Sequence, residues 1–386
     1  MTFPEGCLQL GCGLSEPRIK AFLRSWSTGE LDCLLVLAAT RTAEHEGISA
    51  AGATTASRRF TALADAELLL RGPGGQRRWS LPPLPAGVSP ALLSHVAAKH
   101  LNLQPQVAAL GLEQQPDFPH LRMEPANQGP SDCLSSGRAM PALRVRRLWQ
   151  QGVRVGSRLN RPLLLAECVP GGTTTAQAVL TALGVGVADW VSGSARLPPR
   201  DLKHALVRSG LVQADLGESP GTEAVLAAVG DPFQAFAAGL LVGTVHSRQP
   251  VLLAGGSQML AVLALSLQAL TPSEQCRLTS QVLLGTTAWL AQEQSPAGSG
   301  SSLARLVNAV GEHFDRPLAA VASGVRFHNS DQQQLRDYED GHVKEGVGAG
   351  GLLLLAQLRG AGRQELVADC GRAVQQLFSP SVRSGS

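Results

Sequence analysis

Three short apolar runs stand out along the chain because their residues do not alternate with polar ones: 33–39, 162–166 and 250–254. Continuous runs of this length, bounded by polar residues, predict strands buried on both faces. Between them the apolar positions return at helical spacing, over 175–183, 202–209, 233–245 and 259–270, and near the start over 17–26, where Ile19, Phe22 and Leu23 share a face. Strands that alternate with helices pair in parallel through crossovers, which predicts an α/β fold: a mostly parallel, Rossmann-like sheet with helices on both faces. The longest apolar stretch, 251–270, is nearly long enough to span a bilayer. Gly255, Gly256, Ser257 and Gln258 interrupt it, so it reads as strand, tight turn and helix. Residues 72–90, 114–142 and 295–302 are rich in Pro, Gly, Ser or Asn and read as loops, and the tail 379–386 as frayed.

Composition narrows the class. With 386 residues and 44% hydrophobic content the chain can bury a large core and is not wholly disordered. The 42 Gly and 24 Pro show no three-residue period, which excludes collagen. The balance of 33 basic and 30 acidic residues is too even to argue for a nucleic-acid surface. The local basic run Arg144, Arg146 and Arg147 reads as a solvated helix face. Seven scattered Cys without a Cys-x-x-Cys pair fit a reducing compartment and give no zinc cluster. The first residues lack a basic region followed by an apolar stretch, so a soluble, cytoplasmic chain without membrane contact is expected.

Four segments carry candidate chemistry. The first runs from the strand at 162–166 through Glu167 to Pro170, Gly171, Gly172, Thr173, Thr174 and Thr175. Glycines let a ligand approach the backbone, and the free amides of a helix start favour an anion. No Gly-Lys-Ser/Thr follows, so the turn is not a Walker A loop. An acid at the carboxyl end of an apolar strand stands where open α/β sheets bind ligands, which marks Glu167. The second segment, Lys344-Glu345-Gly346-Val347-Gly348, matches Gly-x-Gly-x-x-Gly with Gly351, but no apolar strand precedes it, so a dinucleotide fingerprint is rejected. Glu345 is then either a functional acid beside free amides or a charge that favours the helix dipole. The third holds Gly255, Gly256 and Ser257 after the strand at 250–254, with Gly230-Asp231-Pro232 upstream, either ligand-facing or ordinary turn chemistry. In the fourth, His45 between Glu44 and Glu46 is either a polar site residue or part of a solvated loop.

Taken in order, these segments resemble the nicotinate-nucleotide:dimethylbenzimidazole phosphoribosyltransferase family, and more closely its little-characterised archaeal and cyanobacterial branch. The matching features are Glu-Gly-Ile-Ser-Ala-Ala-Gly (46–52), Ala-Asp-Ala-Glu (64–67), Pro-Gly-Gly-Thr-Thr-Thr-Ala (170–176), Gly-Asp-Pro (230–232), Leu-Leu-Ala-Gly-Gly-Ser-Gln-Met (252–259) and Glu-Gly-Val-Gly-Ala (345–349). The family's phosphate loop, Glu-x-x-x-Gly-Asn-Thr-Thr, aligns with Glu167 to Thr174, with Gly172 in place of Asn. Its catalytic Gly-Glu-Gly-Thr-Gly-Ala aligns with 344–349, with Lys344 in place of the first Gly. The resemblance implies transfer of the phosphoribosyl group of nicotinate mononucleotide to a benzimidazole- or adenine-type base, with release of nicotinate, for the lower nucleotide of cobalamin. It implies Glu345 as general base and Glu167 beside the ribose. Gly171, Gly172, Thr173, Thr174 and Thr175 would hold the phosphate, and His45, Gly255, Gly256, Ser257, Gly346 and Gly348 would line the pocket. No cofactor or metal is implied, and a homodimer is. The implied organisation is a core over 31–354 with an irregular insert at about 68–150, and a small helical subdomain from 1–30 and 355–386. The rival reading is a non-catalytic protein that binds a nucleotide or a cobalamin precursor.

Overall fold

The computed structural model describes residues 3–11, 16–52, 54–187, 189–294 and 300–379. Its strands, in chain order, are β1 (Leu8–Leu10), β2 (Asp32–Ala38), β3 (Gln106–Leu110), β4 (Leu121–Arg122), β5 (Leu163–Cys168), β6 (Val251–Ala254), β7 (Val282–Thr286) and β8 (Ala320–Ala322). They form one sheet in the order β1-β8-β7-β6-β5-β2-β3-β4. Every pairing is parallel except β1 with β8 at one edge. The three runs read from the sequence are β6, β5 and β2, neighbours in the middle of the sheet. Their burial on both faces is why they carry no alternation.

Side chains along these strands still divide by parity. Leu34, Val36, Leu163 and Leu165 join one core, and Cys33, Leu35, Leu164 and Ala166 join the other. The first core is covered by helices that include Gly172–Ala182, Pro232–Ser247 and Ser257–Gln268, the second by Thr61–Arg71, Pro90–His100 and Ala349–Leu358. The helices Glu16–Arg24 and Arg363–Phe378 add Ile19, Leu23, Leu366 and Cys370 to the second core. The region 68–150 holds elements that the hydrophobic pattern did not reveal, namely the helix Pro90–His100 and β3. Residues 72–89 and most of 114–141 are irregular, as expected; 295–299 and 380–386 lie outside the described residues. No described helix is long and apolar enough to cross a membrane.

Arg144 departs from the expected solvated face. It is buried, forks onto Glu124 at 2.7 and 2.8 Å, and donates to the Gly129 carbonyl at 3.0 Å. Its helix, Ala142–Ser157, is amphipathic, and the arginine falls where the irregular stretch folds back over it. Arg146, in contrast, is exposed and pairs with Glu223.

The same helix crosses Pro232–Ser247 at a joint made of glycines. Gly152 and Gly156 on one helix face Gly239 and Gly243 on the other, each pair four residues apart. A Cβ at Gly152 would overlap the Phe236 carbonyl, and one at Gly239 the Trp149 carbonyl. Backbone meets backbone here, with no side chain able to give way. Gly152→Ala is therefore expected to lower stability by about 1–3 kcal/mol, seen as a fall in the urea midpoint at an unchanged m-value.

Candidate active site

The direction of strand addition reverses between β2 and β5, and open sheets bind ligands outside the carboxyl ends at such a switch point. A cavity of about 860 Å³ opens there. The turn after β5 forms its floor. Gly171 has φ +80° and lies so near the segment after β2 that a Cβ would come within 3.0 Å of the Ala43 amide nitrogen. A Cβ on Gly172 would come within 2.6 Å of Gln258 Nε2. Gly171 requires glycine, a Cβ on Gly172 would have to displace the Gln258 side chain, and the turn leads straight into the helix Gly172–Ala182, with the Gly172 amide donating to the Val169 carbonyl at 2.8 Å and the Thr174 amide to the Gly171 carbonyl at 2.9 Å.

A buried polar network holds this turn from below. Asp231 caps its helix through the Gln234 amide at 3.0 Å. Its Oδ2 accepts from Thr175 Oγ1 at 2.5 Å and from Gln258 Nε2 at 2.8 Å. Gln258 in turn accepts from Gln234 Nε2 at 2.7 Å. Burial pushes the Asp231 carboxyl above its usual range, and these hydrogen bonds, Thr175 foremost, oppose the push. The motif Gly-Asp-Pro thus does more than turn the chain.

Two of the chain's four lysines converge beside the glycine turn. Lys203 is 1% exposed; its Nζ donates to Thr173 Oγ1 at 2.9 Å and to the Ser192 carbonyl at 2.6 Å. Lys344 is also buried, and donates to Ser192 Oγ at 3.2 Å and Glu293 Oε1 at 2.6 Å. Burial lowers Lys203 to about 7; Glu293 resists this, and Lys344 and Arg200 add to it. Burial likewise lowers Lys344, against Glu293. Two buried lysines, Lys344 in direct contact and Lys203 only within electrostatic reach, face the one Glu293 carboxylate. A bound anion would relieve the excess and restore the charge on Lys203.

Glu167 and Glu345 both line the same cavity. Glu167 is pushed up to about 8, first by burial, then by the charge of Asp231; the Val169 amide opposes this and Glu345 adds to it. Glu345 is saturated. Its Oε2 accepts from the Thr287 amide at 2.8 Å and Thr286 Oγ1 at 3.2 Å, and its Oε1 from the amides of Gly346 and Gly350, both at 3.1 Å. Burial still raises its pKa overall, although all four donors favour the anion. The segment carrying it is bent through left-handed conformations at Val343, Lys344 and Val347, costly for β-branched residues. Contacts from three other elements hold it there: Val343 N to Ser194 O at 2.8 Å, Val347 N to Glu167 O at 3.1 Å, and Ser94 Oγ to Val347 O at 2.9 Å.

Of the residues expected from sequence, Glu167, Gly171, Gly172, Thr173, Gly256, Ser257, Glu345 and Gly346 line the cavity together. Thr174 and Thr175 are buried behind it, Thr175 on Asp231 and Thr174 with a hydroxyl lacking a partner among the described residues. Gly255 and Gly348 are not in the lining; a Cβ on Gly348 would press on Ala166 of β5. His45 lies beside Cys133, its Nε2 3.2 Å from the thiol, and is not in the lining either. Sequence reasoning missed Lys203, Lys344, Asp231 and Asp65 as site residues. For the lysines a signal existed: in a chain so dominated by arginine, each of the four lysines is a choice of ammonium over guanidinium. His100, Glu365 and Asp369 could together hold a metal, but they are not in the lining, and Asp369 already accepts from His100 and Arg372.

Residues 91–278 match the sequence profile of the phosphoribosyltransferase family. This span contains the glycine turn and Lys203 and ends before Glu345. The chain is 61% identical to a UPF0284 protein of Parasynechococcus marenigrum, over 99% of this chain and 96% of that protein. It is 55% identical to a UPF0284 protein of Prochlorococcus marinus, over 98% and 94%. A UPF0284 protein of Cyanothece is 43% identical, over 91% and 92%. These relatives are cyanobacterial, as the motifs implied. Among solved structures, CobT from Thermus thermophilus superposes with a TM-score of 0.58 at 19% identity, covering 96% of this chain and 92% of that one. A structure described as nicotinate-nucleotide-dimethylbenzimidazole phosphoribosyltransferase from the same organism gives 0.58 at 18%. At such identity the likeness shows the fold.

The elevated Glu167 has a consequence for stability. A carboxyl with a folded value of about 8 against a usual 4.5 holds its proton longer in the folded than in the unfolded state. Its contribution is fully present below pH 4.5 and is lost as pH rises through 8. Glu167→Gln is expected to remove this slope, so that its melting temperature exceeds the wild type's at pH 9 by more than at pH 5, as calorimetry across pH would show.

Proposed function

Because the chain belongs to the UPF0284 family, we propose that it is a phosphoribosyltransferase that moves the phosphoribosyl group of nicotinate mononucleotide to a ring nitrogen of an acceptor base and releases nicotinate. The observation that carries the reading is the meeting of two carboxylates and a glycine-and-lysine anion cradle in one cavity. The acceptor is a benzimidazole- or adenine-type base, and the product is the lower nucleotide of cobalamin. The same resemblance extends the proposal to a homodimer in the cytoplasm.

The chemistry asks for these groups. The bond from C1′ of the ribose to the pyridinium nitrogen breaks, and its electron pair neutralises the ring, so the leaving group needs no proton. The ribose carbon passes through a cationic stage that a nearby carboxylate stabilises, the role assigned to Glu167. A bound pyridinium and this developing charge both favour its ionised form. A lone pair on the acceptor nitrogen makes the new bond, and the ring N–H proton passes to Glu345. Glu345 must first release one of its four donors. Thr286 Oγ1, the longest contact and the one donor that can rotate, gives way. The phosphate sits at the glycine turn and on Thr173, with Lys203 behind them.

The saturation of Glu345 also gives the rival, a non-catalytic nucleotide binder, its one specific support. Nicotinate release followed by chromatography, with acceptor bases that include dimethylbenzimidazole and adenine, separates the two. Release that depends on an acceptor is expected; tight binding of nicotinate mononucleotide with no release would favour the binder. Glu345→Gln is expected to lower kcat about 10²–10⁴-fold, and unimpaired turnover would remove Glu345 as base. Lys203→Met is expected to raise KM for nicotinate mononucleotide about 10–100-fold, with a smaller change in kcat, in steady-state kinetics.

A further inference from the structure

Asp65 is a third carboxylate in the cavity wall, and the transfer mechanism above makes no use of it. It stands on the helix Thr61–Arg71, one turn after Thr61, which lines the cavity with it. The motif Ala-Asp-Ala-Glu separates its two acids by two positions, so they leave the helix on nearly opposite sides. Glu67 is fully buried and accepts from the amides of Arg78 at 3.1 Å and Trp79 at 2.8 Å. That fixes the start of the segment 78–89, which crosses the cavity as a strap. The end of the strap is fixed by Gly87 N on Asp337 at 2.7 Å, by Tyr338 Oη on the Val88 carbonyl at 2.8 Å, and by Ser89 Oγ on Asp65 Oδ1 at 2.6 Å. Pro82, Pro83 and Pro85 in its middle have no amide proton to offer a ligand.

Anchoring explains one oxygen of Asp65. The other, Oδ2, is 3.6 Å from the Cys168 thiol, a weak donor, and both residues border the cavity. Burial raises Asp65 only to about 6, against the opposing hydrogen bonds of Ser89 and Cys168, so the group is mostly an anion at neutral pH. An anchor for Ser89 needs only an acceptor. A desolvated carboxylate is costly unless a strong donor completes it, and the prolines, Leu81, Leu84 and Val88 of the same lining carry no side-chain donor.

We propose that Asp65 is a specificity-determining residue for the acceptor: Oδ2 receives a hydrogen bond from an exocyclic amino group, so the pocket selects fused heteroaromatic bases that carry one. This rests on the phosphoribosyl-transfer reading. The test compares adenine with purine, and 5-aminobenzimidazole with benzimidazole, as acceptors for wild type and Asp65→Asn. Asparagine keeps an acceptor for Ser89 and replaces the second one with a donor. In the wild type each amino base is expected to exceed its parent in kcat/KM by about 10–100-fold. In Asp65→Asn the ratio is expected to fall to near unity or invert. Ser89→Ala, which removes the anchor alone, is expected to lower Tm and leave the ratio unchanged. Equal use of amino and parent bases by the wild type, or a ratio untouched by Asp65→Asn, overturns the assignment; if that variant does not fold, the wild-type ratios alone decide. If no base supports nicotinate release, the transfer reading fails. The same ratios are then taken from calorimetric Kd values in the presence of nicotinate mononucleotide, and parity there overturns the role of Asp65.

Discussion

A carboxylate with no water around it must find every hydrogen bond inside the protein, and Asp231 meets that demand by tying three helices together. It caps its own helix, takes the hydroxyl of Thr175 from a second, and takes the amide of Gln258 from a third. The glycine turn rests on this knot, since Gly172 touches Gln258 and Thr175 opens the helix that follows. Loss of one donor would leave a buried charge short of a partner, at a cost of about 1–3 kcal/mol. The geometry of the glycine turn therefore depends in part on Asp231 and Thr175, which lie outside the cavity lining.

Charge gives the cavity a polarity. Lys203 and Lys344 stand beside the glycine turn, and Glu167, Glu345 and Asp65 line the same cavity. This polarity suits the proposed substrates, an anion at one end and a cationic or proton-donating ring at the other. Burial above all, and then repulsion from Asp231 and Glu345, lifts Glu167, so a cation placed beside it would favour its ionised form.

The middle of this fold was readable because burial on both faces leaves its mark in composition. β2, β5 and β6 have no polar positions to spare, whereas β7 follows directly on the helix Pro272–Gln281 with no break to announce it. The glycine turn was readable for a similar reason, as the approach of Gly171 to the Ala43 backbone leaves no room for a side chain. Lys203 was not: it lies 28 residues beyond Thr175 on an ordinary helix, and only the packing of that helix brings its ammonium to Thr173. Asp65 and Glu67 were visible as a motif, but their division of labour needs the path of the strap. His45 shows the converse, a reactive residue type in a suggestive setting whose ring meets a cysteine outside the cavity lining.

The glycine joint between the helices Ala142–Ser157 and Pro232–Ser247 has a mechanical meaning. Helices that meet through side chains can slide by changing rotamers, but two backbones in contact have no such freedom. The pair moves as one rigid body, and Asp231 at the head of one helix moves with it. That stiffness reaches the cavity through Asp231, on which the glycine turn rests.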